Sequence, residues 1–316
     1  MYRNIFIPES IHTIYDYFFG WKFLYPFGYP LHKRELIKPF FIVGSGGSGN
    51  TLLRRFLCSH SKIYIPPETY VLGQLIKTFR KTSRLKWKYL VYQVLSELEY
   101  YPEFETFQVS LRPLAKQLVN TPEKYRSLAF ILDSFYKYHA HSLNFLCLRW
   151  GDKTPLNTFY LERIYKVFPK AQFIHLIRDG CDVISSYVEA HLYNNIEAAA
   201  KRWCASIDLA SNFVKKYPKS CLEIKYENLV TNPKLTVQKI CNFLEIEYED
   251  TMLNSELKCG LMGDVDMRQH HKQVYKPIST SSIGKGRYQL TDQEKQRLQK
   301  LIGNHLEKLG YQPCTS

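Results

Sequence analysis

The fold of this chain is decided by the stretch Phe40-Phe41-Ile42-Val43-Gly44-Ser45-Gly46-Gly47-Ser48-Gly49-Asn50-Thr51-Leu52-Leu53. Its apolar start predicts a buried strand, its glycines and serines predict a tight turn, and its end predicts the first turn of a helix. The backbone N–H groups of such a turn, together with the positive end of the helix dipole, bind phosphate. The stretch therefore predicts a phosphate-binding loop between the first core strand and the first helix.

This loop departs from the one that binds nucleoside triphosphates. The triphosphate loop has the pattern G-x-x-x-x-G-K-S/T, and its lysine reaches the β- and γ-phosphates. Gly44, Gly49 and Thr51 fit that pattern, but Asn50 stands at the lysine position. We therefore interpret the loop as a site for a phosphate-containing nucleotide other than a triphosphate. A glycine-rich turn without a ligand is the alternative.

Composition indicates a basic globular protein. The 316 residues are 45% hydrophobic and 15% aromatic, which excludes a disordered chain. Lys and Arg exceed Asp and Glu by 43 to 29, and the net charge of +14 attracts anions such as nucleotides, anionic sugars, acidic peptides or membrane surfaces. Peripheral membrane contact stays open, and the oligomeric state is not predicted. Because no fingerprint motif of nucleic-acid-binding proteins is present, we expect no nucleic-acid partner.

Cysteine usage and hydropathy lead to an expectation about location. The eight cysteines are scattered and form no C-x-x-C pair, so we expect reduced thiols and no metal site. We find neither a signal peptide nor an apolar run long enough to span a bilayer. The expectation is a cytoplasmic protein, or a chain trimmed of an anchor.

Hydrophobic patterning predicts strands separated by helices. Strands are predicted at Phe40–Val43, Ile63–Ile65, Leu146–Trp150, Gln172–Ile177 and Leu222–Ile224. This alternation predicts an α/β fold, with a P-loop-type parallel sheet flanked by helices. Predicted helices include Tyr70–Phe79, Asn157–Val167 and Asp182–His191, and a last helix that opens at a Thr291–Glu294 capping box and closes at Gly310. Helical insertions between Tyr70 and His141 are expected to form the acceptor pocket. The predicted organisation is an aromatic-rich arm at residues 1–38, a main domain at 39–310 and a tail at 311–316.

Polar groups stand at three of the predicted strand ends, namely in the glycine loop, at Lys153 and at Arg178. Ligands of parallel sheets bind at the carboxyl ends of the strands. Ser186 follows Arg178 by eight residues, within the next helix. A guanidinium fork and a hydroxyl at this spacing can hold a second phosphate. An ion pair between Arg178 and Asp179, with Ser186 facing the helix, is the alternative.

Together, the glycine loop and the Arg178–Ser186 pair resemble the sulfotransferases that use 3′-phosphoadenosine 5′-phosphosulfate (PAPS). Their 5′-phosphosulfate loop reads like G-x-x-R/K-S-G-S/T-S/T, and their 3′-phosphate motif is an arginine at a strand end with a serine eight positions later. Tyr226-Glu227-Asn228-Leu229 resembles their Y-E-D/N-L segment. Within this superfamily the chain is most similar to the tyrosylprotein sulfotransferase-like branch. Residues Gln273–Pro277 and Lys285 of this chain resemble the closing segment of that branch. The resemblance covers about residues 38–310.

The resemblance implies a reaction and a set of residue roles. The reaction is transfer of a sulfuryl group from PAPS to a hydroxyl acceptor, with PAP as the second product and no metal. The acceptor is a carbohydrate, a lipid-linked or small-molecule alcohol, or a tyrosine, and an anionic acceptor is possible. Glu68 is implied as the general base, and Lys153 as a cation near the transferred group. Nucleotide binding is implied for Gly46, Gly47, Ser48, Gly49, Asn50, Thr51, Arg178, Ser186, Tyr226 and Lys285.

The chain departs from the pattern of the family or of the related branch at three positions. Gly47 stands where the family has an arginine or lysine that neutralises the leaving phosphate, and Asn50 replaces a threonine. The cations that could replace the missing one are Lys153, Lys285 and Arg54. Tyr70 stands where the related branch has an arginine that contacts the peptide acceptor, which leaves the acceptor open.

Three alternatives remain on sequence grounds. Histidine is a rival for the role of base, at His60, His139, His141, His175, His191, His270 or His271. A P-loop kinase of small molecules is a rival function, although Asn50 argues against it. A sulfotransferase-like protein that has lost activity and binds a nucleotide or an anionic glycan is the other rival, because of Gly47.

Overall fold

The computed structural model describes residues 28–33, 37–254 and 277–316. Its centre is a five-stranded, all-parallel sheet with the order β2-β3-β1-β4-β5. The strands are β1 Phe40–Val43, β2 Ile63–Tyr64, β3 Arg149–Lys153, β4 Gln172–Ile177 and β5 Cys221–Lys225. This arrangement confirms the predicted parallel α/β sheet.

Helices cover both faces of the sheet. Those before β4 are α1 Asn50–Cys58, α2 Leu72–Thr82, α3 Trp87–Glu99, α4 Arg112–Leu118, α5 Leu128–Ser142 and α6 Leu161–Val167. The later ones are α7 Gly180–Glu189, α8 Ile196–Lys216, α9 Tyr226–Thr231, α10 Pro233–Leu244, α11 Lys285–Gln289 and α12 Asp292–Lys308. Short 3₁₀ segments lie at Pro102–Phe107, Glu123–Tyr125, Pro155–Tyr160, Pro218–Ser220 and Asp250–Leu253.

The two central strands are buried along their whole length, as expected of a sheet covered on both faces. The register places Val43 opposite His175 and Ile42 opposite Lys153. The carboxyl ends of β1, β3 and β4 therefore lie side by side. This register gathers the glycine loop, Lys153 and Arg178 at one edge of the sheet.

The predicted strand Leu146–Trp150 is wrong by three residues. Leu146 and Leu148 are exposed, and the strand that pairs is Arg149–Lys153. Asp152 and Lys153 in this strand are buried and hydrogen-bonded. A search for apolar residues therefore does not detect the strand. Gly151 is needed because a Cβ atom there would lie 2.3 Å from the Phe40 ring.

Three predicted helix starts also shift, for local reasons. Asn157–Val167 divides into the 3₁₀ segment Pro155–Tyr160 and the helix α6. Tyr70 has φ +53°, so the helix predicted from that residue begins at Leu72. Asp179 accepts a hydrogen bond from the Cys181 N–H, and α7 accordingly begins at Gly180, two residues earlier than predicted.

The final helix follows its sequence signals. Thr291 and Glu294 form the predicted capping box, and Gly310 closes the helix with φ +70°. Beyond it, Tyr311 donates a hydrogen bond to Glu227. Cys314 is buried with its Sγ 3.0 Å from that of Cys181. The tail thus packs on the segments that follow β4 and β5.

Several expectations fall wholly or partly outside the described residues. They concern most of the arm at 1–38, the segment Gln273–Lys276, and the histidines His270 and His271. Within the described ranges, the seven cysteines are free thiols. No helix among those residues is long and apolar enough to cross a membrane.

Candidate active site

The loop between β1 and α1 keeps Gly44, Gly47 and Gly49 in the left-handed region of backbone space. A Cβ atom on Gly44 would lie 2.4 Å from the carbonyl oxygen of Leu176. One on Gly49 would lie 2.4 Å from the ring of Tyr226. At both positions any other residue would meet backbone strain and a clash. The loop therefore depends on glycine both for its shape and for its contact with the neighbouring segments.

Buried polar side chains in and next to the loop include those of Ser45, Ser48 and Asn50. The Asn50 amide donates to the Ser45 carbonyl at 2.8 Å, and the Ser45 hydroxyl lies 2.8 Å from that of Tyr187. Tyr187 also lies 3.1 Å from the position that a Cβ atom on Gly46 would take. The buried Ser48 hydroxyl has no hydrogen-bond partner among the described residues. Buried polar groups are normally paired, so this hydroxyl fits a site for a phosphate-containing ligand.

Glu68 and Lys153 form an ion pair beside the loop. The Lys153 Nζ donates to the Glu68 carboxylate and lies 3.4 Å from the Thr51 hydroxyl. The two charged side chains are almost fully buried, at 1% exposure for Lys153 and 7% for Glu68. The structure thus brings together the predicted base, the predicted cation and the first turn of α1.

Arg178 links the two predicted phosphate sites. One of its guanidinium N–H groups donates to the Gly47 carbonyl at 2.8 Å, and another donates to the Ser282 carbonyl at 2.6 Å. The guanidinium carbon lies 4.5 Å from the centre of the Tyr226 ring. The buried Nε has no hydrogen-bond partner among the described residues. A cation in contact with the loop, with a donor still available, suits an anionic ligand.

A pocket of about 220 Å³ opens beside Arg178 and includes Ser186 and Lys285 in its wall. The Ser186 hydroxyl lies 3.6 Å from the Cβ position of Gly47, so this wall adjoins the glycine loop. Lys285 makes an ion pair with Glu189 at 2.9 Å. The hydrogen bond from Lys285 lowers the pKa of Glu189.

Asp182 holds the segment Ser282–Gly286 against α7. Its carboxylate accepts hydrogen bonds from the N–H groups of Gly284 at 2.9 Å and Gly286 at 2.8 Å. Burial raises the pKa of Asp182. The Tyr226 hydroxyl adds a hydrogen bond of 2.6 Å to the Ser282 hydroxyl. Asp182 also makes an ion pair of 3.6 Å with Arg178. It was not predicted as a site residue, although an acidic residue in the first turn of a helix is a usable signal.

Three of the histidines proposed as rival bases hydrogen-bond to groups other than Glu68, Lys153 and the glycine loop. His60 bonds to the Glu247 carbonyl, His139 to the Phe107 carbonyl and His175 to the Glu223 carboxylate. Arg54, the third candidate cation, is fully buried in α1. Within the described ranges no group of three or more His, Cys, Asp or Glu side chains could hold a metal ion.

Comparison with known proteins identifies relatives of the whole core. A family model described as "Sulfotransferase family" matches residues 39–250. The chain is 25% identical over 284 residues to protein-tyrosine sulfotransferase 1 of Danio rerio, covering 86% of this chain and 72% of that one. It is 24% identical over 289 residues to protein-tyrosine sulfotransferase 2 of Gallus gallus, covering 86% and 69%.

Solved structures share the fold. The sulfotransferase domain of the Synechococcus PCC 7002 olefin synthase matches with a TM-score of 0.59 and 23% identity, over 82% of this chain and 91% of that domain. The sulfotransferase domain from the curacin biosynthetic pathway matches with a TM-score of 0.61 and 22% identity, over 88% and 99%.

Proposed function

This chain belongs to the sulfotransferase family and is an enzyme that transfers a sulfuryl group to a hydroxyl-bearing acceptor, and we propose that its donor is PAPS. The proposal is supported mainly by the contact between the two predicted phosphate sites. Arg178, at the end of β4, reaches the Gly47 carbonyl in the loop that follows β1. A nucleotide with phosphate groups at both its 5′ and 3′ ends matches two anion sites this close together.

The residues of the site divide between the two ends of the nucleotide. The loop Gly46–Thr51 takes the 5′ end through its backbone N–H groups, the Ser48 hydroxyl and the start of α1. Arg178 and Ser186 bind the 3′-phosphate. The Tyr226 ring holds the Arg178 guanidinium through a cation–π contact. Lys285 joins them once the phosphate displaces Glu189.

Glu68 and Lys153 carry out the transfer in this proposal. The acceptor oxygen attacks sulfur while the bond from sulfur to the phosphate oxygen breaks, and Glu68 takes the acceptor proton. Lys153 stabilises the charge that grows on the leaving phosphate, in place of the basic residue that is missing at Gly47. Its position between Glu68 and the Thr51 hydroxyl supports this role.

Tyrosine in a protein is the first acceptor to test, because the curated relatives are named for that substrate. Tyr70 stacks on Tyr101, with ring centres 5.8 Å apart, where the resemblance predicts an arginine that contacts peptide. Carbohydrates and simple alcohols therefore belong in the same test. We also propose that residues 39–310 form the sulfotransferase domain, with an arm at 1–38 and a tail at 311–316.

The role of Glu68 is tested by the substitution Glu68→Gln, which keeps the shape and removes the base. We expect transfer of labelled sulfuryl from PAPS to an alcohol acceptor to fall by about 10²–10⁴-fold, while PAP binding stays close to that of the wild type. A phenol as acidic as 4-nitrophenol should lose less, because it needs less help to release its proton.

The control for this experiment is Glu307→Gln, which neutralises an exposed carboxylate on α12. This variant should transfer sulfuryl at the wild-type rate. Full activity of Glu68→Gln on the alcohol would remove Glu68 from the role of base.

A further inference from the structure

A second buried carboxylate lies next to the ion pair. Asp152 is the penultimate residue of β3, directly before Lys153, and is 1% exposed. Its Oδ2 accepts hydrogen bonds from the Thr69 hydroxyl at 2.7 Å and from the Tyr136 hydroxyl at 2.6 Å. Its Oδ1 accepts a hydrogen bond of 2.8 Å from the Asn157 amide. Three separate chain segments therefore meet on this one carboxylate.

The first of these segments carries the base. Thr69 is the direct neighbour of Glu68, and its N–H donates to the Thr154 hydroxyl at 3.0 Å. Thr69 is thus held through both its backbone and its side chain by residues of, or next to, β3. These two bonds fix the position of Glu68 relative to Lys153, which lies between Asp152 and Thr154.

The second segment leads to the phosphate loop. Asn157 belongs to the 3₁₀ segment Pro155–Tyr160, and the next residue, Thr158, bonds to Gly44 twice. The Gly44 N–H donates to the Thr158 hydroxyl at 2.9 Å, and that hydroxyl donates to the Gly44 carbonyl at 3.1 Å. Asp152 is therefore connected to the start of the glycine loop as well as to the base.

Burial of this carboxylate has a cost that its hydrogen bonds offset. Burial raises the pKa of Asp152, whereas the bonds from Tyr136 and Thr69 oppose that shift. An apolar side chain of similar size would fill the same space without a desolvation penalty. The carboxylate is thus explained by the segments that it joins.

We propose that Asp152 is a positioning residue, which holds Glu68 against the phosphate loop through Thr69 and Asn157. The proposal rests on the proposed role of Glu68 as the base. Asp152 itself touches neither nucleotide nor acceptor in this account. It sets the distance between the Glu68 carboxylate and the reacting atoms. The reaction rate depends strongly on that distance.

The test compares two substitutions that each remove one hydroxyl donor from Asp152 and keep the shape of the side chain. Thr69→Val acts on the segment that carries Glu68, and Tyr136→Phe acts on α5. Thr69→Val should lower kcat for an alcohol acceptor by roughly 10–100-fold, with the acceptor KM and the PAP Kd within about threefold of wild type. Tyr136→Phe should leave kcat within about threefold, even where both variants lose thermal stability. Thr69→Ser, which restores the hydroxyl, should restore kcat.

The outcomes separate this proposal from the one on which it rests. In a Glu68→Gln background, Thr69→Val should produce no further loss of kcat, because it acts through the base. An inactive Glu68→Gln enzyme beside a fully active Thr69→Val enzyme would overturn the positioning role alone. A fully active Glu68→Gln enzyme would overturn the base assignment, and the positioning role with it. Equal losses of kcat in Thr69→Val and Tyr136→Phe would show that Asp152 supports the fold of the site without positioning Glu68 in particular.

Discussion

At the residue scale, the structure places Lys153 and Lys285 beside different groups, although the sequence offers both as replacements for the basic residue missing at Gly47. Lys153 lies between Glu68 and Thr51, at the end of the site where the sulfuryl group is expected. Lys285 lies in the Arg178 pocket and makes an ion pair with Glu189. We therefore propose that Lys153 acts on the reaction and that Lys285 acts on nucleotide binding.

Substitution of each lysine by Met should reveal this division. Lys153→Met should lower kcat by about 10²–10³-fold and change the PAP Kd much less, because charge on the leaving phosphate is greatest in the transition state. Lys285→Met should weaken PAP binding and leave kcat at saturating PAPS close to wild type. Steady-state kinetics with calorimetric PAP titrations measures both quantities. If both variants changed kcat and the PAP Kd in the same proportions, the two lysines would not have the separate roles that we propose.

At the element scale, the sequence predicted the parts of the site that have a local signature. The glycine loop, the Arg178 strand end and the Thr291 capping box are each visible within a few residues. The strand β3 was misplaced because its side chains are polar and buried through partners distant in sequence. Asp152 bonds to residues 83 positions earlier and 16 positions earlier, and no local pattern reports such contacts.

The glycine loop provides a matched pair of substitutions. Gly47→Ala introduces left-handed strain of roughly 1–2 kcal/mol, but its Cβ would lie at least 3.6 Å from its neighbours. Gly49→Ala adds a contact of 2.4 Å with the Tyr226 ring to a similar strain. We expect Gly49→Ala to lose more thermal stability and far more PAP affinity than Gly47→Ala. Equal effects in thermal melts and PAP titrations would show that the Tyr226 contact does not shape the loop.

At the scale of the whole molecule, the order of the strands creates the site. Because β1 lies between β3 and β4, the glycine loop is flanked by Lys153 on one side and Arg178 on the other. The charge of +14 favours anionic ligands without selecting one. We propose that selection comes from two anion sites, the glycine loop and Arg178, whose spacing is not encoded in composition or in the hydrophobic pattern. Helices α2–α5 fill the segment where the sequence predicts the acceptor pocket, and the shape of that pocket stays a prediction.

Above all, we propose that this chain recognises both ends of a nucleotide that carries phosphate groups at its 5′ and 3′ ends. The most direct test is calorimetric titration of the wild type, Ser186→Ala and Arg178→Ala with PAP and with adenosine 5′-phosphate, which differs from PAP only in lacking the 3′-phosphate. We predict that the wild type prefers PAP by roughly 10–100-fold, because charged hydrogen bonds to the 3′-phosphate contribute about 1.5–3 kcal/mol. Ser186→Ala should reduce this preference and Arg178→Ala should remove it. Equal affinity of the wild type for both nucleotides, or equal weakening of both by Arg178→Ala, would contradict the account.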